Sequence, residues 1–487
     1  MPRLRACLLL AAAASLAACG DDHTPALPDA AGDVDADLPP PDADTRDILD
    51  RLRDLPGVVS VTEQATDQPG YRLFDLRMTQ LVDHADPDGQ TFTQQMTLLH
   101  RDEAAPLVLV STGYWNYFGD ARDELTAMLS ANQLVVEHRY FGESRPEPAD
   151  WTQLTIENAA TDHHVVTERL GTIYRAPWLA TGASKGGMTS VYHRRFFPDD
   201  VAGAVPYVAP ISFGAPDYRY DAFVDAIGPA GCRQALRDLT VELLTDRRAY
   251  LEARATTQAQ QGGWTYDRIS LPAAVESAIV SLEWAFWQYV GEAACDDVPA
   301  VTASDASMWS FLDIVSSVTS SSDVYAGAFE AYYYQAAFEL GYPGTMDPHL
   351  EGLLQHGPEA YDGMYPVGVA APTYVPGAMV DVDAWVQDEG DRLLFVYGEL
   401  DPWTGGRFAL GDAADSLSLT APGRDHGAGI ADLQPADRTA ALARLEAWSG
   451  VTPVLASARA RRAPAPPRVP PAVLHGLRLR AAAAARR

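Results

Sequence analysis

Residues 177–197 read Pro-Trp-Leu-Ala-Thr-Gly-Ala-Ser-Lys-Gly-Gly-Met-Thr-Ser-Val-Tyr-His-Arg-Arg-Phe-Phe. Trp178 to Thr181 is a short apolar run with strand character. Gly182-Ala183-Ser184-Lys185-Gly186 is a tight turn bounded by glycine, and Gly187 to Phe197 can be helical. Gly-x-Ser-x-Gly between a strand and a helix predicts that Ser184 stands at the apex of a strained turn, clear of the backbone. A serine hydroxyl becomes a useful nucleophile only where a histidine can take its proton. The helix that follows points its N-terminal N–H groups back at the site, so the Lys185 amide is the expected donor to a developing oxyanion. A glycine-rich turn with an idle serine has the same local pattern, so the rest of the chain must decide.

Upstream of this turn, Tyr71 to Val82 alternates apolar and polar residues, and Thr91 to Leu99 follows a turn at Asp86-Pro87-Asp88-Gly89, which predicts an antiparallel pair. Pro106 to Val110 is a fully apolar strand and Leu134 to Glu137 another buried strand, on either side of a helical stretch, Asp120 to Leu129. Ile156 to Leu170 is a further helix, and Val201 to Val208 is the strand after the Ser184 turn. Strands alternating with helices predict a mostly parallel sheet covered on both faces, an α/β-hydrolase fold. Gly113-Tyr114 then falls at a strand's C-terminal end, and the Tyr114 N–H is the expected second oxyanion donor. His163-His164 has no third ligand at a familiar spacing and no His-Glu-x-x-His pattern, so helix-surface histidines are expected rather than a metal site.

The pattern changes beyond Gly214. Residues 215–374 hold long helical stretches, among them Gly231 to Ala255 and Ala273 to Gly291, dense in aromatics such as Trp284, Trp287 and Tyr332-Tyr333-Tyr334. They read as a helical cap inserted after the sixth strand, between hydrolase segments 46–214 and 375–450, and a cap encloses substrate. Cys232 and Cys295 both lie in the insertion and are expected to form a disulfide in an oxidising compartment.

After the insertion, Arg392 to Tyr397 is an apolar strand that runs into Gly398-Glu399-Leu400-Asp401-Pro402-Trp403. Asp401, just past the strand end, is suited to orienting a histidine, and His426, on a Gly-flanked loop after the strand Ser416 to Leu419, is the natural general base. Asp425 competes for the acid's role but adjoins the histidine in sequence and would have difficulty facing its ring. The order Ser184, Asp401, His426 is that of α/β-hydrolases, and the chemistry needs no cofactor.

Lys+Arg 36 against Asp+Glu 66 gives a net charge of −30, which argues against nucleic acid or an anionic membrane surface as a partner. Lys185 is the chain's only lysine, beside the expected nucleophile. Residues 1–19 read as an export signal, with Arg3 and Arg5 ahead of an apolar run and Leu16-Ala17-Ala18-Cys19 as a lipobox. Cys19 is the expected lipidation site and the only membrane attachment; an ordinary signal peptide with an incidental cysteine is the alternative. Residues 20–45, rich in Asp, Ala and Pro, are expected to form a disordered tether. Residues 451–487, with eight Arg and no acid from Arg459 onward, are expected to be a disordered tail.

The stretch from Thr181 to Pro210 resembles secreted bacterial serine peptidases of family S37, the PS-10 type. So do Ser144 to Trp151, Phe286 to Tyr289, Tyr332 to Ala336, Pro348 to Leu354 and Phe395 to Trp403, and the resemblance runs from about Arg46 to Gly450. It implies an α/β-hydrolase that removes di- or tripeptides from free N-termini, with the catalytic serine, aspartate and histidine at Ser184, Asp401 and His426. Tyr140-Phe141-Gly142-Glu143-Ser144 departs from that pattern and is more similar to the related prolyl carboxypeptidase and dipeptidyl peptidase family, which leaves the peptide length and proline preference open. An exopeptidase of this kind needs a carboxylate for the substrate ammonium. Glu330 and Glu283, among the cap aromatics, are the candidates, with solvated helix-face acids as the other reading. An esterase on the same fold and a non-catalytic surface lipoprotein remain as alternatives.

Overall fold

The computed structural model of the chain describes residues 45–344, 347–357 and 359–455. The expected signal segment with Cys19, the expected tether up to residue 44 and the expected disordered tail beyond residue 455 lie outside them. The chain divides after Arg46, and the unit from Asp47 onward carries the fold.

Nine strands form one sheet: β1 (Val58–Gln64), β2 (Arg72–Leu81), β3 (Thr91–His100), β4 (Leu107–Ser111), β5 (Asn132–Val136), β6 (Trp178–Ala183), β7 (Gly203–Tyr207), β8 (Leu394–Gly398) and β9 (Leu417–Ala421). Their order is β1-β2-β3-β5-β4-β6-β7-β8-β9. The pairings from β1 to β5 are antiparallel, and those from β5 through β4 to β9 are parallel. Every residue of β4, β5, β7 and β8 is buried, which is why β4, β7 and β8 read as near-continuous apolar runs, while β5 opens on the buried polar pair Asn132 and Gln133.

The sheet separates two apolar layers. On one face Val166 and Leu170 of the helix Ile156–Leu170 pack with Met188 and Val191 of Lys185–Phe196 and Met379 and Val386 of Gly377–Asp388. On the other, Leu125 and Met128 of Glu124–Leu129 pack with Leu445 and Trp448 of Pro435–Ser449. The layer of helices on each face leaves the C-terminal ends of the parallel strands as the place where loops converge, the usual position of a crevice in such sheets.

Strand β1 was not expected. Only Val61 of its seven residues is buried, so this edge strand carries no alternation to read. It makes Gly203–Tyr207, the strand before the helical insertion, the seventh of the sheet rather than the sixth. Inside the insertion, two expected helices are each broken. Gly231 to Ala255 becomes Ala230–Leu244 and Arg248–Gly262, with Thr245 out of helical geometry at φ −103° and ψ −83°. Ala273 to Gly291 becomes Leu271–Val280 and Leu282–Tyr289, joined at Ser281. The breaks turn the helices onto a core of their own that includes Leu239, Leu243, Ile279, Met308 and Leu312, and each such side chain contributes roughly 1.5–3 kcal/mol on burial. Cys232 and Cys295 are joined, with Cα atoms 5.4 Å apart.

The histidine pair is corrected by packing. The helix Ile156–Leu170 lies against Lys185–Phe196, so residues 163, 166 and 170, at helical spacing, face inward. His163 is buried, its ring 5.5 Å from that of His193, while His164 stacks on Phe197 and its Nδ1 lies 3.0 Å from Asp200. Among the described residues no cluster of three or more His, Cys, Asp or Glu is placed to hold a metal, and no helix is long and apolar enough to cross a membrane.

Candidate active site

β6 ends at Ala183, and Ser184 follows with φ 56° and ψ −126°. A non-glycine residue held there costs roughly 1–3 kcal/mol, so its surroundings must enforce the conformation. They do so through two backbone hydrogen bonds: Ser184 N–H donates to Tyr207 C=O at 2.9 Å, and Met188 N–H donates to Ser184 C=O at 2.9 Å. The flanking glycines are required by contact. A Cβ at Gly182 would lie 2.5 Å from Ser111 O, one at Gly186 2.2 Å from the same oxygen, and one at Gly187 2.8 Å from Tyr207 O. The elbow is thus wedged between the ends of β4 and β7. The helix Lys185–Phe196 begins directly after it, and first-turn amides such as that of Lys185 have no intrahelical partner.

The turn after β4 presses on the start of this helix. Gly113 has φ 72°, and a Cβ on it would lie 2.5 Å from Gly186 N and 2.7 Å from Lys185 C. Tyr114 C=O accepts His138 N–H at 2.9 Å and the Thr112 hydroxyl at 2.6 Å, which anchors the turn on the C-terminal side of Tyr114. Among the described residues Tyr114 N–H meets only Thr112 Oγ1, at a long 3.3 Å, so most of its donor capacity remains. Behind the turn the buried Glu137 carboxylate accepts N–H groups of Asn116, Glu143 and Ser144 and the Ser144 hydroxyl, at 2.7–2.9 Å. This tie to the 138–145 loop was not read from sequence, where Glu137 is simply the end of a strand.

The Lys185 side chain turns into the protein. Its Nζ is buried with no hydrogen-bond partner among the described residues and lies 5.3 Å from the Phe141 ring and 5.9 Å from the Tyr114 ring. Burial pushes its pKa well below the ordinary lysine range, opposed only in part by Glu339. Glu339 accepts Ile156 N–H at 2.7 Å at the start of a 15-residue helix, and burial raises its carboxyl to about 7.

Asp401 is fully buried in the loop after β8. Its Oδ1 accepts Trp403 N–H at 3.1 Å, capping the turn Pro402–Gly406, and its Oδ2 lies 2.7 Å from His426 Nδ1. Asp425 instead accepts Gly427 N–H at 3.0 Å within its own loop. The structure therefore brings Asp401, not Asp425, to the imidazole. The insertion also reaches the histidine: His426 N–H donates to Gln288 C=O at 3.1 Å, the Tyr289 ring stands edge-on at 6.2 Å, and Trp403 lies 6.4 Å away. Trp284 in turn meets Trp403 edge-on at 5.3 Å, so the helix Leu282–Tyr289 forms an aromatic wall of the site.

The histidine loop is clamped from the other side by Glu124. Its Oε2 accepts Ile430 N–H at 2.9 Å and its Oε1 accepts Ala431 N–H at 3.2 Å, while a Cβ at Gly429 would lie 3.0 Å from the same carboxylate. In sequence Glu124 is only an acid in the first turn of a helix, a common dipole-matching choice, so nothing marked a contact 306 residues away.

The two carboxylates proposed for substrate ammonium differ. Glu330 has both oxygens engaged, with Arg145 Nη1 at 2.6 Å and Arg268 Nη1 at 3.1 Å. Glu283 lies on the same helix as Gln288 and Tyr289 and pairs through Oε2 with Arg237 Nε at 3.0 Å. Its Oε1 is buried without a hydrogen-bond partner among the described residues, and burial raises its pKa despite Arg237.

The family model described as PS-10 peptidase S37 matches residues 41–473, further than the resemblance visible in the residues themselves. A prolyl tri/tetrapeptidyl aminopeptidase of Streptomyces mobaraensis is 39% identical over 428 residues, 87% of this chain and 89% of its own. A lysosomal Pro-X carboxypeptidase of Mus musculus is 33% identical over 160 residues, 28% of this chain and 32% of its own. Among solved structures, a proline iminopeptidase of Mycobacterium smegmatis aligns with 80% of this chain and 99% of its own at 13% identity and a TM-score of 0.32.

Proposed function

The chain belongs to the PS-10 peptidase S37 family and is a serine peptidase, and from that premise we propose an exported exopeptidase that releases short, proline-ended peptides from free N-termini through an acyl-enzyme on Ser184. The observation that carries the reading is the Asp401 Oδ2–His426 Nδ1 contact of 2.7 Å in a chain whose Ser184 sits on a strained elbow. His426, oriented by Asp401, removes the Ser184 proton as Oγ attacks the scissile carbonyl. The Lys185 and Tyr114 amides receive the oxyanion, and water then releases the acyl product. The name of the Streptomyces mobaraensis relative points to a released unit of three or four residues rather than two or three. Glu283, with one buried oxygen unpaired among the described residues, is the better receiver of the substrate ammonium. Export with a lipid on Cys19 belongs to the same proposal and is supported by the Cys232–Cys295 disulfide, which suits an oxidising compartment.

The test is chromophore release from N-terminally free proline-ended di-, tri- and tetrapeptidyl amides against their N-blocked counterparts, with Ser184→Ala as control. Cleavage of the free forms alone, lost in the variant, is expected and fixes the length removed. Hydrolysis of activated esters with no amide cleaved would move the chain to an esterase role.

A further inference from the structure

A cavity of about 160 Å³ opens beside the histidine, and every residue lining it belongs to the sheet body rather than to the 215–374 insertion. His426 and Gly427 to Gly429 form one side, Gly182 and Ala183 reach it from directly before the nucleophile, and Tyr117, Phe118 and Ala121 close it from the chain that follows the oxyanion turn. The insertion meets His426 through Gln288 and Tyr289 instead. Two different surfaces therefore flank one imidazole.

The chemistry of acyl transfer assigns different partners to such surfaces. When the C–N bond of the tetrahedral intermediate breaks, the proton that histidine took from the serine passes to the departing nitrogen. The leaving group must therefore lie against the histidine while the acyl part stays on the serine. Resting on the exopeptidase reading above, we propose that this cavity is the leaving-group subsite, which holds the side chain of the residue that becomes the new N-terminus, and that it selects against an acidic side chain there.

Two features of the lining support the choice. Tyr117 and Phe118 are stacked, with ring centroids 5.1 Å apart, and together with Val110, Val208 and Ala428 they make the wall mostly apolar, sized for one small or medium side chain. Its charged members are three carboxylates, Asp123, Glu124 and Asp432, against one guanidinium, Arg122. Glu124 is committed to the Ile430 and Ala431 amides, and Asp432 accepts Gly429 N–H at 3.1 Å. Asp123 caps the helix Glu124–Leu129 through Oδ1. A substrate carboxylate placed among these groups meets like charge at short range, whereas the protonated amine that departs meets the opposite sign.

The experiment uses the full chain and one proline-ended acyl segment carried on four leaving groups: methanol as the ester, and peptides continuing with Ala, Lys or Glu. Cleavage is followed by mass spectrometry. The protein is expected to favour Ala and Lys over Glu by about tenfold or more in kcat/KM. Ala121→Trp, at an exposed rim position that contributes only backbone hydrogen bonds, puts an indole over the cavity. It should lower the ratio of Ala-peptide to methyl-ester kcat/KM by about tenfold. Asp123→Asn keeps the helix cap, since Asn caps as well as Asp, and should narrow the Lys-over-Glu preference at least about threefold. Peptide cleavage indifferent to the leaving residue, or an unchanged peptide-to-ester ratio in Ala121→Trp, would overturn the subsite and leave the exopeptidase reading intact. Ester hydrolysis with no peptide cleaved would remove both.

Discussion

Replacing Asp401 by Asn separates orientation from mere presence of the acid. In the protein Asp401 uses its two oxygens differently: Oδ1 accepts Trp403 N–H at 3.1 Å and Oδ2 meets His426 Nδ1 at 2.7 Å. An asparagine at this site, 0% exposed, cannot rotate at leisure, because the Trp403 amide demands an acceptor. Its carbonyl oxygen therefore stays on Trp403, and its NH2 group points at Nδ1. A donor facing Nδ1 selects the imidazole tautomer with the proton on Nε2, which cannot accept the Ser184 proton. The expected loss is on the order of 10⁴ in kcat, about 5 kcal/mol of transition-state stabilisation, with KM little changed. Because the packing and the Trp403 bond survive, unfolding stability should stay within about 1–2 kcal/mol of the parent. Asp425→Asn is the matched control: its side chain serves only Gly427 N–H, which Asn also accepts, so activity should fall by no more than a few-fold. Steady-state kinetics on a free-amine proline-ended amide, with denaturant melts on both variants, make the comparison. An Asp401→Asn loss under about tenfold, or an equal loss in Asp425→Asn, would refute the assignment of the acid.

Three further outcomes follow from the structure. Glu283→Gln should raise KM for free-amine peptides about tenfold while leaving N-blocked esters unaffected, since only the former present an ammonium; equal effects on both would remove Glu283 as the receiver. Glu339 has its carboxyl raised by burial to about 7 from 4.5, so its contribution is complete below pH 4.5 and is lost as pH rises through 7. Glu339→Gln, whose amide oxygen still accepts Ile156 N–H, should therefore gain up to about 3 kcal/mol on the parent at pH 8 relative to pH 4, and parallel stability profiles would contradict this. Breaking the Cys232–Cys295 bond, which spans 63 residues, should cost about 4 kcal/mol in chemical denaturation of Cys232→Ser/Cys295→Ser; an unchanged midpoint would show that the helical insertion does not depend on it.

The parts of the site that sequence revealed are those whose chemistry is local. The Ser184 turn announces itself because three glycines are forced by backbone contacts within a few ångströms, and Asp401 follows a strand too apolar to be anything but buried, while His426 shows itself by its Gly-flanked loop after the half-buried β9. The acid could be told from Asp425 by the same locality, since a residue adjoining the histidine turns back to its own loop. What escaped notice depends on distant partners. Glu124 holds the histidine loop, Glu137 braces the oxyanion turn, and Arg145 and Arg268 occupy Glu330, all through contacts that ordinary surface-like acids and arginines do not advertise. His163 was misplaced because a helix can bury a polar residue when a second helix covers it. β1 was missed because an edge strand with one buried residue has no pattern to show. The broken helices show the same limit: no glycine or proline marks a break at Thr245 or Ser281, and only tertiary packing interrupts the helix.

The most direct measurement is the site of covalent labelling by a fluorophosphonate, read by intact mass and peptide mapping. One adduct on the peptide that carries Ser184, formed at neutral pH and suppressed in His426→Ala, is the predicted result. No adduct, or one on another serine, would contradict the claim that Ser184 is the nucleophile and His426 its base.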